Sequence, residues 1–159
     1  MTPHSKQRRA LMAWPLAVTA GFVLPARADE VAPADTKRIQ AVVRDQLAAF
    51  AADDAKRAFG FASDALQRHF GSADRFMAMV RTSYPVVVRP ASVAFLRPEL
   101  VDGQWTQGVH LTDDAGVRWL AVYLMERGAK GKAWRIGGCT LLPAPGLVAG
   151  IPLTSTARA

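Results

Sequence analysis

The strongest constraint on the fold of this chain is a long β-hairpin predicted over residues 117–142. Its arms, residues 117–126 and 132–142, are rich in β-branched and aromatic residues, and the basic segment between them contains glycines that suit a chain reversal. The first arm is apolar at nearly every position, which is typical of a strand covered on both faces. The helices predicted upstream are the natural cover for this strand.

Residues 36–84 carry the pattern of consecutive helices. Asp35 is predicted to cap the first helix, which runs from residue 36 to about residue 52. The apolar residues of this helix form one stripe: Ile39, Val42, Val43, Leu47 and Phe50. Three shorter helices follow, each bounded by residues that cap or end helices: Asp53, Asp54, Gly60, Ser63, Gly71 and Ser72. The last is predicted to end at Tyr84, because a residue before proline avoids the helical conformation.

After Pro85 the pattern changes to that of strands. Residues 86–89 and 92–96 are predicted as an edge or bulged strand, since Pro90 interrupts them and a central strand tolerates proline poorly. Asp102-Gly103 predicts a hairpin turn. The next strand alternates between two faces: Trp105, Val109 and Leu111 on one, and Thr106, His110 and Thr112 on the other. This order predicts an α+β domain, with N-terminal helices packed in the concave face of a curved antiparallel four-stranded sheet.

The first 28 residues have the three parts of an export signal. A positive start at Lys6 and Arg8-Arg9 precedes an apolar run, and Ala26-Arg-Ala28 supplies the cleavage pattern. We predict a signal peptide over residues 1–28 cleaved after Ala28, with an uncleaved membrane anchor as the alternative. Sec export is expected, and Arg8-Arg9 also fits the twin-arginine route. The mature protein is predicted to be periplasmic or secreted, without a stable membrane span.

The remaining chain is divided into a linker at residues 29–35, the α+β domain at 36–142 and a C-terminal loop and tail at 143–159. The whole chain has 20 Lys and Arg against 13 Asp and Glu, a formal charge of +7. Loss of the signal peptide removes four basic residues and no acidic ones, which leaves 16 against 13, or +3. This small excess, without a basic patch, predicts no nucleic-acid partner. Cys139 is the only cysteine, so no intramolecular disulfide is predicted, and it is interpreted as a small buried residue.

Several short stretches between residues 39 and 142 carry a family resemblance: Gln46-Leu-Ala-Ala-Phe50, Asp53-Asp54, Ala58-Phe-Gly-Phe-Ala-Ser63, Phe70-Gly71, Phe76-Met-Ala-Met-Val80, Tyr84-Pro85, Arg89-Pro90, Tyr123-Leu-Met-Glu126 and Trp134-Arg-Ile-Gly-Gly-Cys139. They resemble an exported bacterial family described as domain of unknown function 4864. The element order also resembles the cone-shaped, cystatin-like superfamily of nuclear transport factor two and the ketosteroid isomerases. Asp64 departs from the pattern, where the family is expected to carry proline. The resemblance implies export and a cone with an apolar cavity, but no activity.

The candidate ligand-pocket residues are Tyr84, His110 and Tyr123. The two tyrosines could turn a hydroxyl inward, and His110 lies mid-strand on a polar face, where an imidazole could transfer protons. Asp53, Asp54 and Glu126 are interpreted as caps or ion-pair partners. No catalytic residue, metal ligand or cofactor is predicted, because no motif for one is present.

The leading hypothesis is a non-enzymatic module that binds a small apolar or amphipathic ligand, or a protein partner, through the cavity or the open sheet face. The partner in that second case includes another copy of the chain, giving a homodimer. The alternative is an isomerase- or dehydratase-like enzyme that uses His110 or an acidic residue for proton transfer.

Overall fold

The structure is a computed structural model that describes residues 32–128, 131 and 133–144. Within these residues, helices come first and strands follow: α1 (Pro33–Ala51), α2 (Ala55–Gly60), α3 (Asp64–Phe70), α4 (Ala73–Ser83), α5 (Pro85–Val88), β1 (Ser92–Phe95), β2 (Glu99–Val101), β3 (Gln104–Thr112), β4 (Arg118–Arg127) and β5 (Trp134–Pro143). The predicted signal peptide and residues 145–159 of the predicted tail lie outside the described part of the chain.

The strands form one antiparallel sheet, which confirms the predicted α+β class. Its order is β1-β3-β4-β5, and β4 and β5 form the hairpin that the sequence predicts. The described sheet has five strands rather than the four predicted. The additional strand is β2, which pairs with the same edge of β3 as β1 does, further along it. The reversal at Asp102 and Gly103, both with positive φ, folds these three residues back onto β3.

Helix α1 begins at Pro33, three residues before the predicted start. Proline suits this first position because its φ is fixed in the helical range and its missing N–H would be unpaired there. The prediction that Asp35 is the N-cap is therefore wrong, because Asp35 lies inside the first turn and Ala32 is the N-cap residue. The Asp35 carboxylate accepts hydrogen bonds from Arg127 Nη2 at 2.7 Å and Trp134 Nε1 at 3.2 Å. These contacts fasten the start of α1 to the end of the β4-β5 hairpin.

The predicted caps of the shorter helices are confirmed. The side chains of Asp54, Ser63 and Ser72 accept hydrogen bonds from the backbone N–H groups three residues later, at 2.9, 3.3 and 3.3 Å. Gly71 ends α3 with a φ of 72°, a left-handed conformation that favours glycine. These caps set the directions in which α3 and α4 leave their turns and approach the sheet.

The prediction of a strand at residues 86–89 is wrong, because residues 86–88 belong to helix α5. Pro85 occupies the first position of this short helix, and the Val87 N–H donates to the Tyr84 carbonyl at 3.0 Å. Val86 and Val87 are both buried. A short run of valines fits a buried helical turn as well as a buried strand, so its periodicity could not separate the two. The second predicted piece forms β1, as Ser92–Phe95.

The core lies between the helices and one face of the sheet. The predicted stripe of α1 is confirmed, because Ile39, Val43, Leu47 and Phe50 are buried and Val42 packs against them. The strands contribute alternate residues to this inner face: Val109, Leu111, Ala121, Tyr123, Met125, Trp134 and Ile136. The opposite face carries partly exposed apolar residues such as Leu124 and Leu142. No helix in the described residues combines the length and apolarity needed to cross a membrane.

Candidate functional site

A partly enclosed cavity of about 260 Å³ lies between the helices and the inner face of β4-β5. Most of its wall is apolar and comes from α1, α3, α4, α5 and β5: Phe50, Leu66, Phe70, Phe76, Met79, Val80, Val87 and Ile136. The phenylalanine rings brace one another, with Phe76 at 5.9 Å from Phe50 and 5.4 Å from Phe70, centroid to centroid. Gly138 lines the sheet side of the cavity, and a Cβ built on it would meet Leu124 on the opposite face of the sheet.

Tyr123 places the most deeply buried polar group at this cavity. It follows Ala121 on the inner face of β4 and is only 2% exposed. The Cys139 thiol lies close enough to interact with its hydroxyl, but no group among the described residues makes a hydrogen bond of good geometry with it. Burial raises the pKa of the Tyr123 phenol well above its usual 10.0, and the neighbouring Cys139 thiol adds to this effect. The phenol therefore keeps its proton at neutral pH and can both donate and accept a hydrogen bond.

Cys139 lies opposite Tyr123 in the β4-β5 register and also lines the cavity. Burial raises the pKa of its thiol from 9.0 to about 12, although the residue keeps some exposed surface on the cavity side. The thiol is therefore uncharged at neutral pH and is a weak donor. Its Sγ lies 3.9 Å from the Thr140 carbonyl oxygen, so its own hydrogen bonding is weak.

Three further polar side chains complete the wall. Gln46, on the inner side of α1, is buried and donates from Nε2 to the Ala58 carbonyl at 3.2 Å. His69 lies at the end of α3, with its ring edge-on to Phe70 at 5.0 Å. Tyr84 follows α4 and is partly buried. No aspartate or glutamate is among the described residues of the wall, so the cavity is mainly apolar and has no carboxylate in its lining.

The structure brings two of the three predicted pocket residues together. Tyr84 and Tyr123 both line the cavity. His110 does not, because it lies between the buried Val109 and Leu111 and so points to the opposite face of the sheet. The role of these residues in binding stays a prediction.

Sequence reasoning missed Gln46, His69 and Cys139 as cavity residues. The register of the hairpin is the signal that could have found Cys139, since it places this residue beside Tyr123. Gln46 immediately precedes Leu47 of the buried α1 stripe, a position that extends the same face. The sequence around His69 has no pattern that predicts a cavity residue, because its position at the wall depends on how α3 packs in the folded protein.

A second concavity, a groove of about 670 Å³, lies beside the cavity. One wall comes from Tyr84 and the start of α5, the other from the turn between β3 and β4, and Trp119 and Leu141 lie on the sheet side. Asp113 holds that turn, accepting from the N–H groups of Ala115 and Val117 and from Trp119 Nε1, at 3.0, 2.8 and 3.2 Å. These hydrogen bonds, led by the indole, lower the pKa of the Asp113 carboxyl below 3.8, so it is ionised at neutral pH.

The acidic residues considered from the sequence lie away from the cavity. Asp53 adopts a φ of 56° at the junction of α1 and α2 and forms ion pairs with Arg81 at 3.0 Å and Arg89 at 3.1 Å. Asp54 caps α2, as described above. Within the part of the chain that the structure describes, no group of three or more His, Cys, Asp or Glu side chains could hold a metal ion.

The fold and the site together define a class of protein: an α+β domain with helices on one face of an antiparallel sheet and an apolar cavity between the two layers. A family model described as domain of unknown function (DUF4864) matches residues 32–149, so this chain belongs to that family. The predicted family resemblance is thus confirmed. No curated protein and no solved structure matches the chain significantly. The further likeness to nuclear transport factor two and the ketosteroid isomerases is not confirmed by these comparisons.

Proposed function

We propose that this protein binds a small, mainly apolar ligand that carries one hydrogen-bonding group, in the cavity between the helices and β4-β5. The observation that carries the proposal is the apolar cavity lined by Tyr123 and Cys139, together with the buried Tyr123 hydroxyl behind its wall, whose neighbour is the weakly hydrogen-bonding Cys139 thiol and which makes no hydrogen bond of good geometry among the described residues. An unpaired buried hydroxyl costs roughly 1–3 kcal/mol, and such groups in native proteins usually have an explanation. A ligand that pairs with the hydroxyl supplies one.

The size and chemistry of the cavity define the ligand further. A water-sized group occupies roughly 30 Å³, so the cavity of about 260 Å³ holds roughly eight or nine such groups. The Tyr123 phenol and the Cys139 thiol are both uncharged donors at neutral pH, which suits a hydroxyl, ether or carbonyl oxygen on the ligand. A fully charged group in the cavity would lose its hydration without an opposite charge to compensate it.

The signal peptide predicted from the sequence supports binding outside the cytoplasm. The proposal is therefore a periplasmic or secreted binding protein whose ligand reaches it in that compartment. A partner protein or a second copy on the open sheet face is compatible with the cavity, because His110 and Leu124 lie on the other side of the sheet.

The alternative of an isomerase- or dehydratase-like enzyme needs a group that accepts a proton beside the ligand. Tyr123 and Cys139 hold their protons at neutral pH, and the described wall contains no carboxylate. His110 lies on the other face of the sheet, which leaves His69 as the basic side chain at the wall. We therefore propose binding as the main function, and His69 is the described wall residue through which the enzyme alternative can be tested.

Calorimetric titration of the mature protein with octan-1-ol tests the proposal, because this probe has an eight-carbon chain and one hydroxyl. Wild-type protein should bind octan-1-ol, and Tyr123→Phe should bind it roughly two- to tenfold more weakly, the equivalent of one net hydrogen bond. His110→Ala is the matched control, since His110 lies on the opposite face and its loss should leave affinity unchanged. Absence of binding, or equal affinity of wild type and Tyr123→Phe, contradicts the proposal.

Native mass spectrometry of the protein purified from its own compartment gives a second, independent test. A non-covalent adduct small enough for the cavity should accompany wild-type protein and be depleted in Tyr123→Phe. An adduct retained equally by both variants would show that the ligand lies elsewhere.

A further inference from the structure

The face of the sheet that points away from the helices carries a continuous apolar patch, which we call the outer face. Its apolar residues are Leu96, Val101, Leu120, Val122, Leu124 and Leu142. Thr106, His110 and Thr140 lie beside them. Leu124 and Leu142 are 40% and 45% exposed, so the patch is open to solvent in a single copy of the chain. Contiguous apolar surface of this kind marks an interaction site.

The size of the outer face suits a protein rather than a small molecule. Strands β3, β4 and β5 have nine or ten residues each, so at roughly 3.3 Å per residue the face is about 30 Å long. Four strands about 4.8 Å apart make it about 19 Å wide. This footprint of roughly 570 Å², enlarged by the relief of the side chains, approaches the 800 Å² or so that each partner buries in a standard interface.

Charge is arranged symmetrically about the centre of this face. The outward residues of β4 are, in order, Arg118, Leu120, Val122, Leu124 and Glu126. This row has a cation at one end, an anion at the other and three apolar side chains between them. Within the described part of the chain, neither end group forms an ion pair. The row is therefore complementary to a second copy of itself that runs in the opposite direction.

The bulge in β5 keeps the acidic end of the row on the outer face. Arg135 is the cross-strand partner of Glu126, but the two side chains form no ion pair. The Glu126 carboxylate lies instead over Gly137, in space that a Cβ at that residue would occupy. Its charge thus rests on the outer face without an opposite charge from a described side chain.

We propose that two copies of this chain pair through their outer faces as a symmetric homodimer with antiparallel β4 strands. A two-fold axis through Val122 packs this residue against its own counterpart and Leu120 against Leu124 of the other copy. It also places Arg118 of each copy opposite Glu126 of the other, which forms two equivalent ion pairs. Packed sheets lie about 10 Å apart and cross at about 30°, which offsets the strand ends by roughly 7 Å, within reach of these long side chains.

Sedimentation equilibrium of the mature protein tests the proposal. Wild type should be a dimer at micromolar concentration. Arg118→Glu and Glu126→Arg each replace both ion pairs by pairs of like charge. Either variant alone should dimerise roughly tenfold or more weakly, since one exposed pair is worth up to about fivefold and two are lost.

An equimolar mixture of Arg118→Glu and Glu126→Arg should recover the dimer. In the mixed pair, residue 118 of each copy again faces a residue 126 of opposite charge. Net charge does not produce this recovery, because the predicted mature protein carries 16 − 13 = +3, Arg118→Glu 15 − 14 = +1 and Glu126→Arg 17 − 12 = +5. Two positively charged variants repel each other overall.

Lys56→Glu is the matched control, because it makes the same change of net charge in the helix layer. Lys56 is exposed in the first turn of α2, where an acidic side chain is favourable, so the variant should fold and dimerise like wild type. Circular dichroism of each variant establishes that it is folded. A dimer weakened equally in Lys56→Glu and Arg118→Glu would show an effect of net charge and would overturn the two-fold pairing.

Three other results would also overturn the inference. One is a monomeric wild type, which would leave the outer face to a different protein or to residues 145–159 of the chain. The second is a dimer that neither charge reversal weakens, since its interface would lie elsewhere. The third is a mixture of the two folded variants that stays monomeric. None of these results bears on ligand binding in the cavity, which lies on the other side of the sheet.

Discussion

Replacing Tyr123 by phenylalanine should stabilise the ligand-free protein. The substitution keeps the aromatic ring and its contacts and removes only the hydroxyl, which is buried and, apart from the weak Cys139 thiol beside it, has no hydrogen bond of good geometry among the described residues. An unpaired buried hydroxyl costs roughly 1–3 kcal/mol, and a small gap remains where the oxygen was. We therefore expect the free energy of unfolding to rise by about 1–2 kcal/mol. The same substitution should weaken the binding of octan-1-ol, so the stability of the ligand-free protein should rise while its affinity for the ligand falls.

Urea unfolding of the mature protein at pH 7 measures this change. The protein must first be unfolded and refolded to remove any ligand carried from the cell. Tyr123→Phe should have a higher midpoint and an unchanged slope, which identifies an effect on stability rather than on the unfolded state. Added octan-1-ol should narrow the difference, because a ligand stabilises most the variant that binds it most tightly.

Tyr84→Phe is the matched control for the loss of a phenol. Tyr84 is only partly buried and lies where the cavity meets the groove, so its hydroxyl is not forced to remain without water. Its loss should change stability by less than about 0.5 kcal/mol. A Tyr123→Phe variant that is less stable than wild type would refute the reasoning, since it would show that the Tyr123 hydroxyl is paired in the ligand-free protein.

Three other substitutions test separate parts of the structure. Val80→Met extends an apolar side chain into the cavity, so urea unfolding should show a free energy of unfolding about 0.5–1 kcal/mol higher than in wild type. Calorimetry should show weaker binding of octan-1-ol. A lower free energy of unfolding would mean that the space is already filled. The Cys139 thiol, whose pKa is raised from 9.0 to about 12, stabilises the fold fully below pH 9 and loses this contribution as the pH rises towards 12. Cys139→Ala should therefore flatten the fall of stability with pH between 9 and 12, by up to about 1.4 kcal/mol per pH unit; unchanged steepness would contradict the raised pKa. Hydrogen bonds from Trp134 and Arg127 lower the pKa of Asp35, so its contribution is present above pH 3.8 and lost as the pH falls through its lowered pKa. Asp35→Asn should lower the free energy of unfolding by about 1–2 kcal/mol, measured by urea unfolding at pH 7. This difference in stability between the variant and wild type should become smaller in acid. A difference that does not change with pH would contradict a stabilising ion pair between Asp35 and Arg127.

The parts of the fold that the sequence predicted correctly depend on local rules. Ser63 and Ser72 cap helices because a hydroxyl can reach the backbone N–H groups of the next turn wherever the chain goes afterwards. The faces of β3 follow from alternation alone: Val109 and Leu111 share one face as predicted, and the structure shows that this face is the buried one. The buried apolar stripe of α1 was likewise predictable, because it depends only on the spacing of residues along a helix.

The errors occurred where local sequence permits two structures. The valines after Pro85 suit a strand by propensity, but proline at the first helical position and burial of Val86 and Val87 stabilise a short helix. The start of α1 was misplaced because Asp35 has the composition of a cap, whereas its partners Arg127 and Trp134 are more than 90 residues away. Such partners become visible only once the chain is folded.

The cavity could be predicted only in part for the same reason. Tyr84 and Tyr123 were candidates because either could turn a hydroxyl inward, although packing is the usual reason for a buried tyrosine. Their convergence depends on how α3 and α4 pack over β4-β5, and no spacing in the sequence records that geometry. His110 shows the limit clearly, since alternation placed it correctly on the Thr106 and Thr112 face but could not show which face the helices cover.

Several other polar side chains of the protein have the hydrogen bonds that the Tyr123 hydroxyl lacks. Asp35, Gln46 and Asp113 all have hydrogen-bond partners. Of the described residues, Gln107 Oε1 and Tyr123 Oη are the buried side-chain atoms left without one, and Gln107 does not line the cavity. Phenylalanine would fill the position of Tyr123 without that cost, so stability alone does not explain the hydroxyl. A group that lowers stability beside an apolar cavity is consistent with the proposed binding role, in which a ligand would supply the missing partner.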